Sequence, residues 1–222
     1  MLPITVWGHW AGPNPWKVCM ILKELDLTYD YRIVEFVDAK KEPYTSINGI
    51  GKLPSILDPN TGMKLSETGA IILYLIGQYD SQGKISYTDL PQKFDCIKWL
   101  MYQVSGQGPY FGQLTFFARF HPEKIPAVID RYTEQVEMVF GVLDKALENR
   151  EWLVGEKCTY ADLSFVTWSH VAKGMLRELG KEVIFKSFPR YTAWFEAMES
   201  RQPVRDCLKE IAAGRISHGL PA

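Results

Sequence analysis

Three short stretches in the N-terminal third of the chain bring together residue types that could do chemistry. The first is Gly8-His9-Trp10-Ala11-Gly12-Pro13-Asn14-Pro15-Trp16-Lys17. A strand-like run, Ile4-Thr5-Val6-Trp7, ends there, and Val18, Ile21, Leu22 and Leu25 begin the i, i+3, i+4, i+7 spacing of a helix with one buried face. Asn14 has the chemistry of an N-cap, and Pro15 suits the first helical position, where its missing N–H costs nothing. Such a helix start offers free N–H groups and a partial positive charge, so it can hold an anion. A redox turn of this kind carries Cys-x-x-Cys, whereas the slots here read Pro13-Asn14-Pro15-Trp16. The chain has a thiolate cradle without a thiol, which implies that the sulfur arrives with a ligand.

The second stretch is Lys52-Leu53-Pro54-Ser55-Ile56. A proline just before a strand cannot donate within a ladder, and an X-Pro bond there is a candidate for the cis isomer. Leu53 could then offer its N–H and C=O to an extended peptide by strand addition. An ordinary strand-initiating proline is the plainer alternative. The third stretch is Leu65-Ser66-Glu67-Thr68-Gly69 at a helix start. Its hydroxyls and free N–H groups can bind a carboxylate, and Glu67 can pair with an ammonium. A zwitterionic amino-acid head fits that set, with helix capping by Ser66 or Thr68 as the simpler reading.

The elements that must position these stretches follow from patterning. After the first strand and helix, Tyr29–Phe36 reads as a second strand, Ser55–Asp58 as a third, Pro59-Asn60-Thr61-Gly62 as a turn and Lys64-Leu65 as the start of a return strand. Ile72, Leu75, Ile76 and Tyr79 mark the next helix. The order β-α-β, connector, β-β-α is that of a thioredoxin-like half-domain. It predicts a domain over 1–80, a polar linker over 81–91 and an all-helical domain over 92–222. Helices are expected at about 92–118, 123–148, 160–178 and 189–213, the last broken at Pro203. Thr159 and Asp162 have the spacing of a capping box.

The 222 residues carry a formal net charge of −1, which gives no reason to expect a nucleic-acid or anionic-membrane partner. Cys19, Cys96, Cys158 and Cys207 are scattered, with no Cys-x-x-Cys pair or zinc spacing, and read as buried thiols of a reducing compartment. No signal-peptide pattern opens the chain, and no apolar run reaches the ~20 residues of a membrane span. A cytoplasmic protein without a metal is expected.

Together the three stretches resemble the glutathione transferases, with the match running through nearly the whole chain. The subgroup that this sequence is most similar to is the fungal nitrogen-regulator-like transferases with the bacterial Nu class. The resemblance rests on Pro13-Asn14-Pro15-Trp16-Lys17-Val18, on Ser105-Gly106-Gln107-Gly108-Pro109-Tyr110-Phe111-Gly112-Gln113 and on Arg131-Tyr132. Trp152-Leu153-Val154-Gly155 followed by Thr159-Tyr160-Ala161-Asp162 resembles the general folding motif of these enzymes. The resemblance implies glutathione as co-substrate, a small apolar electrophile as second substrate, and a homodimer. It implies that Asn14 faces the sulfur, that Leu53, beside Pro54, pairs with the cysteinyl backbone, and that Lys52 reaches the glycyl carboxylate. Glu67 and Thr68 would hold the γ-glutamyl head, and Arg131 would contact glutathione. The aromatics Trp10, Trp16, Tyr102, Tyr110 and Phe111 would line the electrophile pocket.

Gly12 stands where Nu-class chains often have Thr, which removes a hydroxyl donor to sulfur and weighs against disulfide reduction. Three functions follow as expectations: conjugation of glutathione to an electrophile, glutathione-dependent disulfide reduction, and a non-catalytic glutathione-binding or regulatory module. His9 and Cys19 are expected to serve packing rather than catalysis.

Overall fold

The computed structural model describes residues 1–220. They fall into two compact units, Met1–Ser86 joined by the segment from Ser200 onward, and Tyr87–Glu199.

In the first unit the alternating and apolar runs form four strands, β1 (Ile4–Gly8), β2 (Tyr29–Ile33), β3 (Ser55–Asp58) and β4 (Met63–Ser66), ordered β2-β1-β3-β4. β1 and β2 are parallel, joined through α1 (Pro13–Glu24), and the other two pairings are antiparallel. β1 is covered on both faces, as a central strand of Ile, Thr, Val and Trp should be. Thr68–Tyr79 forms α2, which packs with α1. The register that matters for function runs across one end of the sheet, where Trp7 pairs with Ser55 and Ser55 with Ser66. The chain leaving β1, entering β3 and leaving β4 is therefore gathered at that single edge. These are the three stretches that the sequence singles out.

The C-terminal helix, Gln202–Ser217, groups with this unit rather than with the helical residues before it. It packs on α1, and its Gly214 lies so close to the Trp10 ring that a Cβ there would sit 2.0 Å from a ring carbon. Arg201 donates Nε and Nη2 to the buried Glu24 carboxylate at 2.7 and 2.8 Å, a bidentate pair. Lys23 and Tyr29 both donate to Glu210. Helical periodicity reveals an apolar face but not which neighbour covers it. The boundary thus depends on contacts between residues nearly 200 positions apart.

The second unit is helical: α3 (Leu90–Tyr102), α4 (Gly108–Thr115), α5 (Pro126–Ala146), α6 (Tyr160–Glu178), α7 (Glu182–Lys186) and α8 (Pro189–Ser200). In chain order the C-terminal helix of the first unit is α9. Wide π-helical turns, Gln103–Gln107 and Phe116–Phe120, flank α4. Pro109, without an N–H, and Gly106 sit where the regular ladder is interrupted. Gln103 donates to Gln107 at 2.9 Å, and Gln107 donates to the Phe165 carbonyl and Ser169 hydroxyl, so the interruption is satisfied by buried amides.

The capping box expected at Thr159 and Asp162 is present. Asp162 also accepts from the Leu153 N–H at 2.9 Å and from the Trp194 indole at 3.0 Å. Burial outweighs these bonds and raises its carboxyl above the ordinary range.

Candidate functional site

At the C-terminal end of β1 the turn is held by His9. Its Nδ1 accepts from the Ala11 N–H at 3.1 Å, which leaves Nε2 as the protonated nitrogen that donates to Glu35 at 3.2 Å. The His9 carbonyl accepts from Gly12, and the ring packs on Phe36 at 4.2 Å. His9 is thus a buried organiser of the turn, as its packing role requires.

α1 begins earlier than the sequence suggests. Gly12 is its N-cap, Pro13 takes the first helical position and Asn14 the second. The expectation that Asn14 caps the helix and Pro15 opens it is corrected accordingly: Gly12-Pro13 already supplies an extended cap followed by a fixed φ. Asn14 therefore sits within the first turn of the helix rather than at its cap. Its Oδ1 accepts from the ammonium of Lys17, 3.3 Å away. Lys17 is 1% exposed and also donates to the Thr68 hydroxyl at 3.4 Å. Burial pushes the Lys17 pKa down to about 7, opposed by the nearby Glu67 charge.

Thr68 opens α2, and the N-cap is Glu67, which makes no side-chain capping bond. Capping by Ser66 or Thr68 is therefore not what fixes these hydroxyls. Glu67 has φ 70° and ψ 118°, a conformation that side chains rarely adopt and that costs on the order of 1–3 kcal/mol. Its carboxylate is exposed while Thr68 is buried beside it.

At the entrance to β3 the Leu53-Pro54 bond is cis. Leu53 lies two residues ahead of the β1–β3 rung at Ser55, half-buried, and Lys52 is exposed. Two residues that sequence reasoning passed over hold this loop. Tyr44 donates its hydroxyl to the Lys52 carbonyl at 2.8 Å, and the Asn48 Nδ2 donates to the same oxygen at 2.7 Å. Gly51 has φ +66° and a Cβ there would meet the Ala39 carbonyl at 3.0 Å, so glycine is required. The available signal was Asn48-Gly49-Ile50-Gly51, a turn sequence whose capping partner lay beyond it.

The aromatic candidates separate. Trp16 is 2% exposed and stacks on Tyr31 and Trp10 at 4.6 and 5.1 Å, inside the core beneath α9. Trp10 is covered by Gly214. Phe111 is 1% exposed and meets Phe140 edge-on. A pocket-lining role for Trp10, Trp16 and Phe111 is corrected to packing, since each spends its ring on neighbouring rings. In the helical unit Tyr102 is half-buried. Tyr110 shares an open groove of about 400 Å³ with Val128, Arg131, Tyr132 and Gln135. Arg131 is exposed, with Glu134 at 3.7 Å.

The chain's own thiols are poor nucleophiles. All four cysteines are buried, and burial raises the thiols of Cys19, Cys96 and Cys207, that of Cys96 to about 11. These three stay protonated at neutral pH. Among the described residues no helix is long and apolar enough to cross a membrane.

Residues 2–76 match the family model of the glutathione S-transferase N-terminal domain, and residues 109–202 that of the C-terminal domain. The chain belongs to the glutathione S-transferase family. It is 39% identical to the glutathione S-transferase-like protein gedE of Aspergillus terreus, over 95% of this chain and 96% of that one. Solved relatives are Ure2p-type transferases. The glutathione transferase URE2P8 of Phanerochaete chrysosporium, crystallised with oxidised glutathione, superposes with a TM-score of 0.89 at 34% identity, covering 95% of each chain. Ure2p5 of the same fungus, cocrystallised with 1-(S-glutathionyl)-2,4-dinitrobenzene, gives 0.87 at 35% identity and 95% coverage of each. The two matched stretches fall in the α/β part and in the helical part of the chain.

Proposed function

We propose that this glutathione transferase binds glutathione at the sheet edge where Asn14, Leu53, Glu67 and Thr68 are gathered, and adds its thiolate to an apolar electrophile. The observation that carries this reading is the state of Asn14. Its side chain sits in the first turn of α1 and has its oxygen turned to Lys17.

The chemistry follows from that arrangement. Leu53 offers extended backbone to the cysteinyl residue, Glu67 offers a carboxylate to the γ-glutamyl ammonium, and Thr68 a hydroxyl to its carboxylate. Lys52, exposed beside Leu53, is the cation for the glycyl carboxylate. The sulfur then meets the first turn of α1, where backbone N–H groups and the Asn14 amide favour the anion. Lowering a thiol pKa from about 8.5 to about 6.5 corresponds to roughly 2.7 kcal/mol of preference for thiolate, enough to ionise it at neutral pH. Asn14 does not act as a base, because its amide does not titrate. The thiolate attacks the electrophilic carbon, and the leaving group departs with the bonding pair.

Support for conjugation comes from the relative that holds a glutathionyl-dinitrobenzene product, and for disulfide reduction from the relative that holds oxidised glutathione. Tyr110 and Arg131, neighbours in one groove, keep side chains available to a ligand. We assign the protein to the cytoplasm as a homodimer, in keeping with its four unbridged cysteines and with the family it resembles. The test is a paired assay of the pure protein with a haloarene and with a small glutathione mixed disulfide. Turnover of the haloarene is expected. Activity on the disulfide alone would replace conjugation with reduction, and no binding of glutathione at millimolar concentration would remove the enzyme reading altogether.

A further inference from the structure

We propose that Lys17 is a positioning residue of the thiolate cradle, whose ammonium decides which end of the Asn14 amide faces the sulfur. This rests on the glutathione-binding reading above. A carboxamide has two ends of opposite use: the nitrogen donates to a thiolate, while the oxygen repels it. Asn14 lies at the second position of α1, behind the Gly12 N-cap. An ammonium has three donors and no acceptor, so it can accommodate only the oxygen. Lys17 lies three residues along the same helix face, with Nζ 3.3 Å from Asn14 Oδ1. The amide nitrogen is thereby directed away from Lys17.

The lysine is itself prevented from swinging out. Its Nζ also donates to the Thr68 hydroxyl on α2, 51 positions away, and only 1% of the residue is exposed. One cation thus links the side chain proposed to face the sulfur with the hydroxyl proposed to hold the γ-glutamyl head. Packing alone gives no reason for a charge here, since a methionine would fill the same volume without desolvating an ion. Glu67 is the carboxylate that acts on Lys17, and it opposes the loss of the proton that burial favours. A thiolate arriving beside Asn14 adds a second negative charge, so ligand and ammonium stabilise each other.

The experiment compares the wild type with Lys17→Met, Asn14→Ala and the double variant. The ultraviolet absorbance of bound thiolate is titrated, haloarene kcat/KM is measured against pH, and affinity is measured for S-methylglutathione, which has no thiol to ionise. In Lys17→Met the bound thiol should titrate about one pH unit higher than in the wild type, and kcat/KM near pH 6.5 should fall about tenfold. The deficit should shrink towards about pH 9, where free glutathione ionises unaided. Affinity for S-methylglutathione should change by less than about twofold, and Lys17→Arg, again a donor without an acceptor, should restore the low thiol pKa. In the Asn14→Ala background Lys17→Met should have little further effect, because its action runs through the amide. An unchanged thiol titration in Lys17→Met overturns the proposal. Equal effects of Lys17→Met with and without Asn14 also overturn it, since the charge would then act on sulfur directly. Should Lys17→Met not fold, Lys17→Gln carries the same comparison. A wild-type bound thiol that titrates like the free one sinks the glutathione reading itself, which is a different result from either.

Discussion

Replacing Lys17 by methionine should make the protein more stable, and the size of the gain should depend on pH. Lys17 titrates near 10.5 in an unfolded chain and is pushed down to about 7 by burial in the folded one. Between these values the unfolded state holds more protons, so wild-type stability rises as pH climbs through that window. The cost of burying the charge is fully present below about pH 7 and fades towards 10.5. A displacement of that size corresponds to roughly 4–5 kcal/mol. Losing the bonds to Asn14 and Thr68 returns on the order of 1 kcal/mol each. A net gain of roughly 2–3 kcal/mol is therefore expected near pH 6, shrinking to about zero or slightly below at pH 10. Urea denaturation followed by circular dichroism, at one protein concentration and ionic strength, measures the difference at several pH values. A variant that is less stable than wild type near pH 6, or a gain that does not change with pH, would refute the reasoning. Stability gained together with catalytic efficiency lost is the signature of a residue kept for function.

Three further outcomes are expected. Asn14→Ala should lower haloarene kcat/KM by about 10–100-fold in steady-state assays and, because it removes the oxygen that accepts from the buried Lys17, cost on the order of 1 kcal/mol in urea denaturation. Asp162→Ala strands the N–H groups of Leu153 and Thr159 and the Trp194 indole, and should cost roughly 3–5 kcal/mol in chemical denaturation. Gly214→Ala would drive a methyl to within 2.0 Å of the Trp10 ring. It should cost about 1–3 kcal/mol and change tryptophan fluorescence, without altering residues of the helical unit.

The sequence made the elements legible where local chemistry determines them. The capping box at Thr159 and Asp162, the helix over 160–178, and the hairpin at Pro59–Gly62 each follow from residues within a few positions of one another. The sheet edge was legible in the same way, because each of its three stretches is a strand end with its own turn signal. What stayed hidden depends on partners distant in sequence. Trp10 and Trp16 look like pocket aromatics until α9, nearly 200 residues later, is found to cover them. Phe111 carries the same ambiguity until Phe140 is placed against it. Lys17 was visible only as part of a motif. Its meaning comes from Thr68, which sequence spacing could not bring beside it. The start of α1 was misplaced for a local reason: Pro13 and Pro15 both suit a first helical position, and Gly12 settles the choice in favour of Pro13.

The central claim is that this chain, with its own thiols buried, ionises a borrowed one. Ultraviolet titration of glutathione bound to the wild-type protein, against free glutathione in the same buffer, tests it most directly. The account predicts a bound thiol with a pKa near 6.5, about two pH units below the free one. A bound thiol that titrates together with free glutathione would contradict it.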